Sequence, residues 1–208
     1  MSRQTRIRPS LVPYIVRWDG EEACSENDLT VEIHQGRPRL AYKGAPRRYD
    51  RDRAGALWAR IQERPHAGEP QLALMHSRRQ YECMYALKCQ VCRQPADRNE
   101  DGWLFVDWPK PGDPPTWPEG TLTTQPPLCV RHAKTARGLC PHAPHFVGLR
   151  VGLPRLWGVS GTAYRLTEHG WVCDPDLPYL KYGDPLLDSV LAAQLVRQLR
   201  QVKTVPLP

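Results

Sequence analysis

No run of about eighteen apolar residues occurs in the chain, the least a membrane-spanning helix needs, so no membrane span is indicated. The basic opening, residues 1–8, leads into no apolar stretch of the signal-peptide kind, and a cytoplasmic protein is expected. Several catalytic signatures are also missing. There is no G-x-S-x-G elbow, no phosphate-cradling P-loop and no G-x-G-x-x-G opening a helix. No segment repeats. Lysine is scarce beside arginine, a bias that a GC-rich genome produces without any reference to binding.

What is present is cysteine, proline and positive charge. The chain of 208 residues makes one domain or two small ones, long enough to bury a core. Its seven cysteines are an odd number, which in a cytosolic chain argues for metal ligation and free thiols over a disulfide framework. A net charge of +7 points toward an anionic partner. The charge is clustered: Arg3, Arg6 and Arg8; Arg47, Arg48, Arg51 and Arg53; Arg78 and Arg79; Arg131, Lys134 and Arg137. Such clusters hold phosphates without reading base sequence. The competing reading is a solvated surface, and Asp50 and Asp52 already interrupt one cluster.

Cys89-Gln90-Val91-Cys92 and Cys129-Val130-Arg131-His132 are the most informative motifs. Two residues between the members of a pair let both side chains of a tight turn point at one ion, and two such pairs complete a tetrahedral shell. Three thiolates and one imidazole are the donors of structural Zn2+, with no open position for substrate. Chance spacing of buried, reduced cysteines is the competing reading. Cys140, His142 and His145 form a second set of donors, for another metal or as alternate ligands, and Cys83 can join it. Cys24 and Cys173 have no such company and read as packing residues.

Along the chain, residues 11–18, 29–34 and 39–42 read as strands and residues 54–61 as either a short strand or a helical turn. Residues 70–87 read as a helix with Pro70 in its first turn. A turn at 97–102 leads into a strand at 103–107. Residues 109–127 carry seven prolines and are expected to be an irregular loop. A short helix is expected at 130–139 and strands at 146–151, 163–166 and 171–173. Asp184-Pro185 opens a final amphipathic helix whose apolar face is Leu187, Leu191, Leu195, Leu199 and Val202. The expected class is α+β: a β-rich segment at 1–68, a helix plus zinc module at 69–145, and a β segment with a helix at 146–208, forming one compact unit.

The order of knuckle, hairpin, loop and second knuckle opening a helix resembles the treble-clef zinc fingers, a superfamily that includes the HNH and recombination endonucleases. The resemblance covers residues 83–142 and implies that Cys89, Cys92, Cys129 and His132 hold the zinc. In the endonucleases a strand like Leu104-Phe105-Val106-Asp107 ends in Asp-His, where the histidine is the general base. Here Trp108 follows Asp107, and no Asn or His follows His132 at the place of the catalytic metal. The likeness therefore implies a degenerate, HNH-like zinc module without the cleavage chemistry. The order Cys-x-Val-Cys, Pro-Pro-x-Cys and Cys-Pro-His is also similar to that of a group of actinobacterial proteins with no assigned activity.

These observations lead to a zinc-stabilised, non-enzymatic binding module that contacts nucleic acid through Arg78, Arg79, Arg131, Lys134 and Arg137. One alternative is a protein-interaction or assembly component using residues 109–127 and the Val205-Pro206-Leu207-Pro208 tail. The other is a diverged nuclease-like or otherwise metal-dependent enzyme built around His142 and His145.

Overall fold

The computed structural model describes residues 11–139, 143–174 and 179–208. Its strands are β1 (Val16–Trp18), β2 (Leu29–His34), β3 (Arg37–Tyr42), β4 (Leu57–Trp58), β5 (Pro70–Met75), β6 (Arg98–Asn99), β7 (Gly102–Asp107), β8 (Leu122–Thr123), β9 (Val147–Thr167), β10 (Gly170–Asp174), β11 (Leu180–Lys181) and β12 (Val190–Val205). The α-helices among the described residues are α1 (Ser77–Tyr85) and α2 (Val130–Leu139). Neither is long and apolar enough to cross a membrane.

Two long strands organise the molecule. β9 and β12, of 21 and 16 residues, pair antiparallel from Val190 opposite Ala163 to Val205 opposite Gly148. β4 joins β12 in parallel, β7 joins β9, and β6 closes that end of an eight-stranded sheet in which β8, β10 and β11 add short pairings. Backbones approach closely where the pairing needs them to. A Cβ on Gly161 would fall on the Leu191 carbonyl, so only glycine fits there. β2 and β3 form a separate hairpin, turned by Gln35 and Gly36 with φ of 50° and 75°. Two consecutive left-handed residues match the twist of the flanking strands, the usual solution for a two-residue hairpin turn.

The α+β class centred on a treble-clef module is corrected by this architecture. The two helices span only nine and ten residues, and the frame is a large mixed sheet. The expected C-terminal helix is a strand. Asp184 does cap a helical turn, accepting the Leu186 N–H at 2.9 Å, but this 3-10 turn ends at Ser189. Beyond it Leu191, Leu195 and Leu199 are all buried in β12. Their four-residue spacing reads as a helix face, but in β12 a register shift between Ala192 and Gln194 breaks the alternation, and Leu191, Leu195 and Leu199 enter three different clusters.

The expected helix over 70–87 is also divided. Its first part is β5, paired with β1 through Trp18 opposite Pro70 and Arg17 opposite Gln71. Pro70 stands at the first residue of this strand, where its missing N–H is tolerated. α1 begins only at Ser77, after His76 N–H has donated to the Ile15 carbonyl at 2.8 Å.

The apolar side chains gather in four clusters among the described residues. One is built on Trp58, Met84, Val159 and Leu195, and a second on Leu40, Tyr42, Leu57 and Tyr164. A third unites Phe105, Leu149, Val151 and Leu199 under β7, β9 and β12. The fourth, Cys89 with Leu104, Leu128 and Ala133, surrounds the paired cysteines.

Candidate metal centre

The first cysteine pair follows α1 directly. Lys88 N–H donates to the Cys83 carbonyl, Cys89 N–H to Gln94 O and Arg93 N–H back to Cys89 O, each at 2.8 Å. These bonds close residues 89–94 into a tight knuckle. Arg93 takes left-handed backbone there, with φ of 64°. A non-glycine residue in that region costs about 1–3 kcal/mol and persists where its surroundings hold it. Here the Arg93 guanidinium is tied to Glu82 Oε1 at 2.8 Å, and Lys88 Nζ reaches the same oxygen at 2.6 Å. Glu82 thus anchors both flanks of the knuckle to α1.

Further backbone bonds bring the second pair to the first. Gln90 N–H donates to Pro127 O at 3.2 Å, Asp97 N–H to Leu128 O at 3.0 Å and Leu128 N–H to Leu104 O at 2.8 Å. On the outer side, Tyr14 and Ile15 N–H donate to Val91 O and Gln90 O at 3.1 and 3.2 Å. Cys129 stands just ahead of α2, and its carbonyl accepts from the N–H of His132 and of Ala133 at 3.0 Å each. The three-residue step from Cys129 to His132 therefore puts both donors on the same side of the helix start.

The four donor atoms of Cys89, Cys92, Cys129 and His132 lie within 4.8 Å of one another. His132 Nδ1 is 3.1 Å from Cys129 Sγ and 3.6 Å from Cys89 Sγ. A tetrahedral ion with metal–sulfur bonds of about 2.3 Å and metal–nitrogen bonds of about 2.0 Å has donor–donor edges of about 3.5–3.8 Å. Both separations from Nδ1 lie within about half an ångström of such an edge. The group can hold a metal ion.

Electrostatics agrees with the geometry. Burial pushes the Cys129 thiol up to about 11, and the neighbouring Cys89 adds to the rise. Burial lowers His132, with Arg131 acting in the same direction, so the imidazole is kept neutral with a lone pair to offer. A dication entering the group displaces the thiol protons and compensates the crowded thiolates. The N-terminus of α2 adds a positive dipole end beside Cys129.

The other expected site residues divide. Cys83 is fully buried beneath the knuckle, its thiol directed at the Cys89 carbonyl at 3.7 Å, and it stands outside the four-donor group. His145 is exposed, in a 3-10 turn over Ala143–His145. Cys140, His142, Arg3, Arg6 and Arg8 lie outside the described residues. Arg131, Lys134 and Arg137 are all exposed on α2, and Arg78 is exposed on α1. Arg79 is not available to a partner, being buried and paired with the buried Glu21. The Asp107 carboxylate is buried and accepts from Lys110 Nζ and from Trp108 N–H, both at 2.9 Å.

Part of the proline-rich loop is committed to the fold. Trp117 packs against the Phe105 and Leu199 cluster, Gly120 N–H donates to Leu199 O at 2.8 Å, and Glu119 accepts from Val202 N–H at 3.0 Å. Residues 109–116 stay largely exposed.

Sequence reasoning missed Glu82 as the anchor of the knuckle and the Tyr14–Ile15 clamp, neither of which leaves a local pattern. Comparison with family models, with curated proteins and with solved structures found no match.

Proposed function

We propose that the chain is a zinc-stabilised, non-enzymatic module that contacts nucleic acid through a basic surface. Zinc suits a set of three thiolates and one neutral imidazole at tetrahedral separations. All four positions of the shell would be filled by protein, which suits a structural ion. Elemental analysis should find one zinc per chain, and cobalt in its place should give the visible absorption of a tetrahedral thiolate site.

The observation that carries the nucleic-acid reading is the division of α2. His132 and Ala133 are buried on the metal side, whereas Arg131, Lys134 and Arg137 face solvent. None of these three takes part in a salt bridge among the described residues. The ion would fix the start of this helix, and with it the direction in which the three cations point. Three phosphate contacts lower log K by about 2.7 per tenfold rise in salt for duplex DNA. The test is binding of a mixed nucleic-acid pool at two salt concentrations by the native chain and by R131A/K134A/R137A. The triple variant should lose most of that slope. Absent binding, or binding indifferent to salt, would remove this reading.

The exposed stretch at 109–116 favours a second reading, a protein contact through the tip of the proline-rich loop, since such segments lose little entropy on docking. A partner captured by the native chain and lost on replacing residues 109–116 with a Gly/Ser linker would support it.

A further inference from the structure

Resting on the nucleic-acid reading above, we propose that one face of α1, continued by Tyr49, is a stacking platform for the unpaired bases of a single-stranded nucleic acid. This surface is separate from the basic face of α2. Arg78, Tyr81 and Tyr85 follow one another at three- and four-residue steps, so they line one side of the helix. The rings of Tyr81 and Tyr85 are parallel within 7°, with centroids 5.5 Å apart. Tyr81 is braced from below by the edge of Trp58, 4.8 Å away at 78°. The stack is thus held on its inner side, while Tyr85 at its outer end is 44 % exposed.

Beside Arg78, Tyr49 is 60 % exposed and lies against two guanidiniums, Arg78 at 4.7 Å and Arg48 at 5.4 Å from its centroid. Two cations share one ring, and the nearest acid to Arg78 is Glu63 at 3.8 Å, in an exposed pair that contributes little. The other carboxylates of this region are already engaged. Glu82 is held by Lys88 and Arg93, and Asp52 accepts from the Trp58 indole and the Tyr182 hydroxyl. Among the described residues Arg48 and Arg53 enter no salt bridge and Arg78 has only the long contact with Glu63, which leaves their charge to an outside anion.

The exposed Tyr85 ring and the arginine-flanked Tyr49 together offer the chemistry that single strands require: π-faces for bases and cations for phosphates. A duplex would find only the cations useful, because its base faces are already covered by their neighbours. A single strand can use both.

The experiment measures fluorescence anisotropy of labelled oligothymidylate and of a duplex of equal length. The proteins are the native chain, Y49A/Y85A, Y49F/Y85F and R131A/K134A/R137A, each checked for metal content and folded state. Loss of about 30-fold or more in single-strand affinity by Y49A/Y85A is expected, since each stacked base contributes about 1–3 kcal/mol. Duplex affinity should change less than about twofold, and Y49F/Y85F should bind as the native chain does. Single-strand binding untouched by Y49A/Y85A, or lost in parallel with duplex binding, would overturn the platform. Duplex binding that depends on the α2 arginines, with no single-strand binding, would also overturn it while leaving the proposed function standing. No binding of either probe by the native chain would remove both.

Discussion

At the scale of single residues, the ligands differ from their neighbours in what a substitution removes. Cys92→Ser exchanges a thiolate for a hydroxyl that keeps its proton at neutral pH and is a poor ligand for a soft-donor site. Structural zinc couples about 10–16 kcal/mol of binding to folding in small fingers. Titration against a competing chelator should accordingly show most of the metal affinity gone, and unchanged affinity would take Cys92 out of the site. His76 makes a different kind of contribution. It is buried, its Nδ1 has no partner among the described residues, and burial followed by the Arg79 charge lowers its pKa. Glu21, Glu63 and the contact with the Gln62 carbonyl act the other way without reversing it. The unfolded chain therefore takes up this proton first as pH falls below about 6.5. Stability from the neutral imidazole is complete above that value and declines as pH drops toward the folded pKa. Denaturant titration of metal-saturated protein between pH 7 and 5 should give a shallower decline for His76→Gln than for the native chain. Equal slopes would show that His76 is not the responsible group.

At the scale of elements, Arg197 joins three parts of the fold. From β12 its guanidinium donates to Met84 O at 2.8 Å and Tyr85 O at 2.9 Å, the last carbonyls of α1, and to Pro154 O in β9. The side chain is buried, and burial lowers its pKa to about 10. A cation at a helix C-terminus suits both the dipole and the unpaired carbonyls of the last turn. Arg197→Met removes those donors and leaves buried acceptors unmatched, at a cost of about 1–3 kcal/mol for each group that water cannot reach. Because the knuckle follows α1 directly, the variant should lose metal affinity as well as stability, read by calorimetry and chelator competition. A drop in melting temperature with unchanged metal affinity would mean that α1 does not transmit its position to Cys89. No sequence pattern announces this contact, since Arg197 and Met84 lie 113 positions apart.

At the scale of the whole molecule, the three cysteines of the candidate metal site belong to only one of the four apolar clusters. The long pairing of β9 with β12 has no ligand in it. Removing the ion should therefore loosen residues 86–97 and 127–138 and leave the sheet in place. Hydrogen exchange after chelation is expected to accelerate at Cys89 to Asp97 and at the start of α2, with β9 and β12 still protected. Loss of protection in both long strands would make the ion a condition of the entire fold.

The sequence by itself determined the four donors, the strands at 29–34 and 39–42 and the helix over α2. In each case the chemistry is local. Two-residue spacings follow from the turn that carries them, Gly36 permits the left-handed turn, and Cys129 to His132 is a single helical step. Only the tertiary structure decided that residues 190–205 are a strand, that residues 70–75 pair with β1 and that Arg79 is buried against Glu21. Leucines spaced as on a helix face are still free to enter a bulged strand, and the choice falls to the strand that pairs with them. For Leu191, Leu195 and Leu199 that partner is β9, a long strand whose own glycines let the two backbones meet.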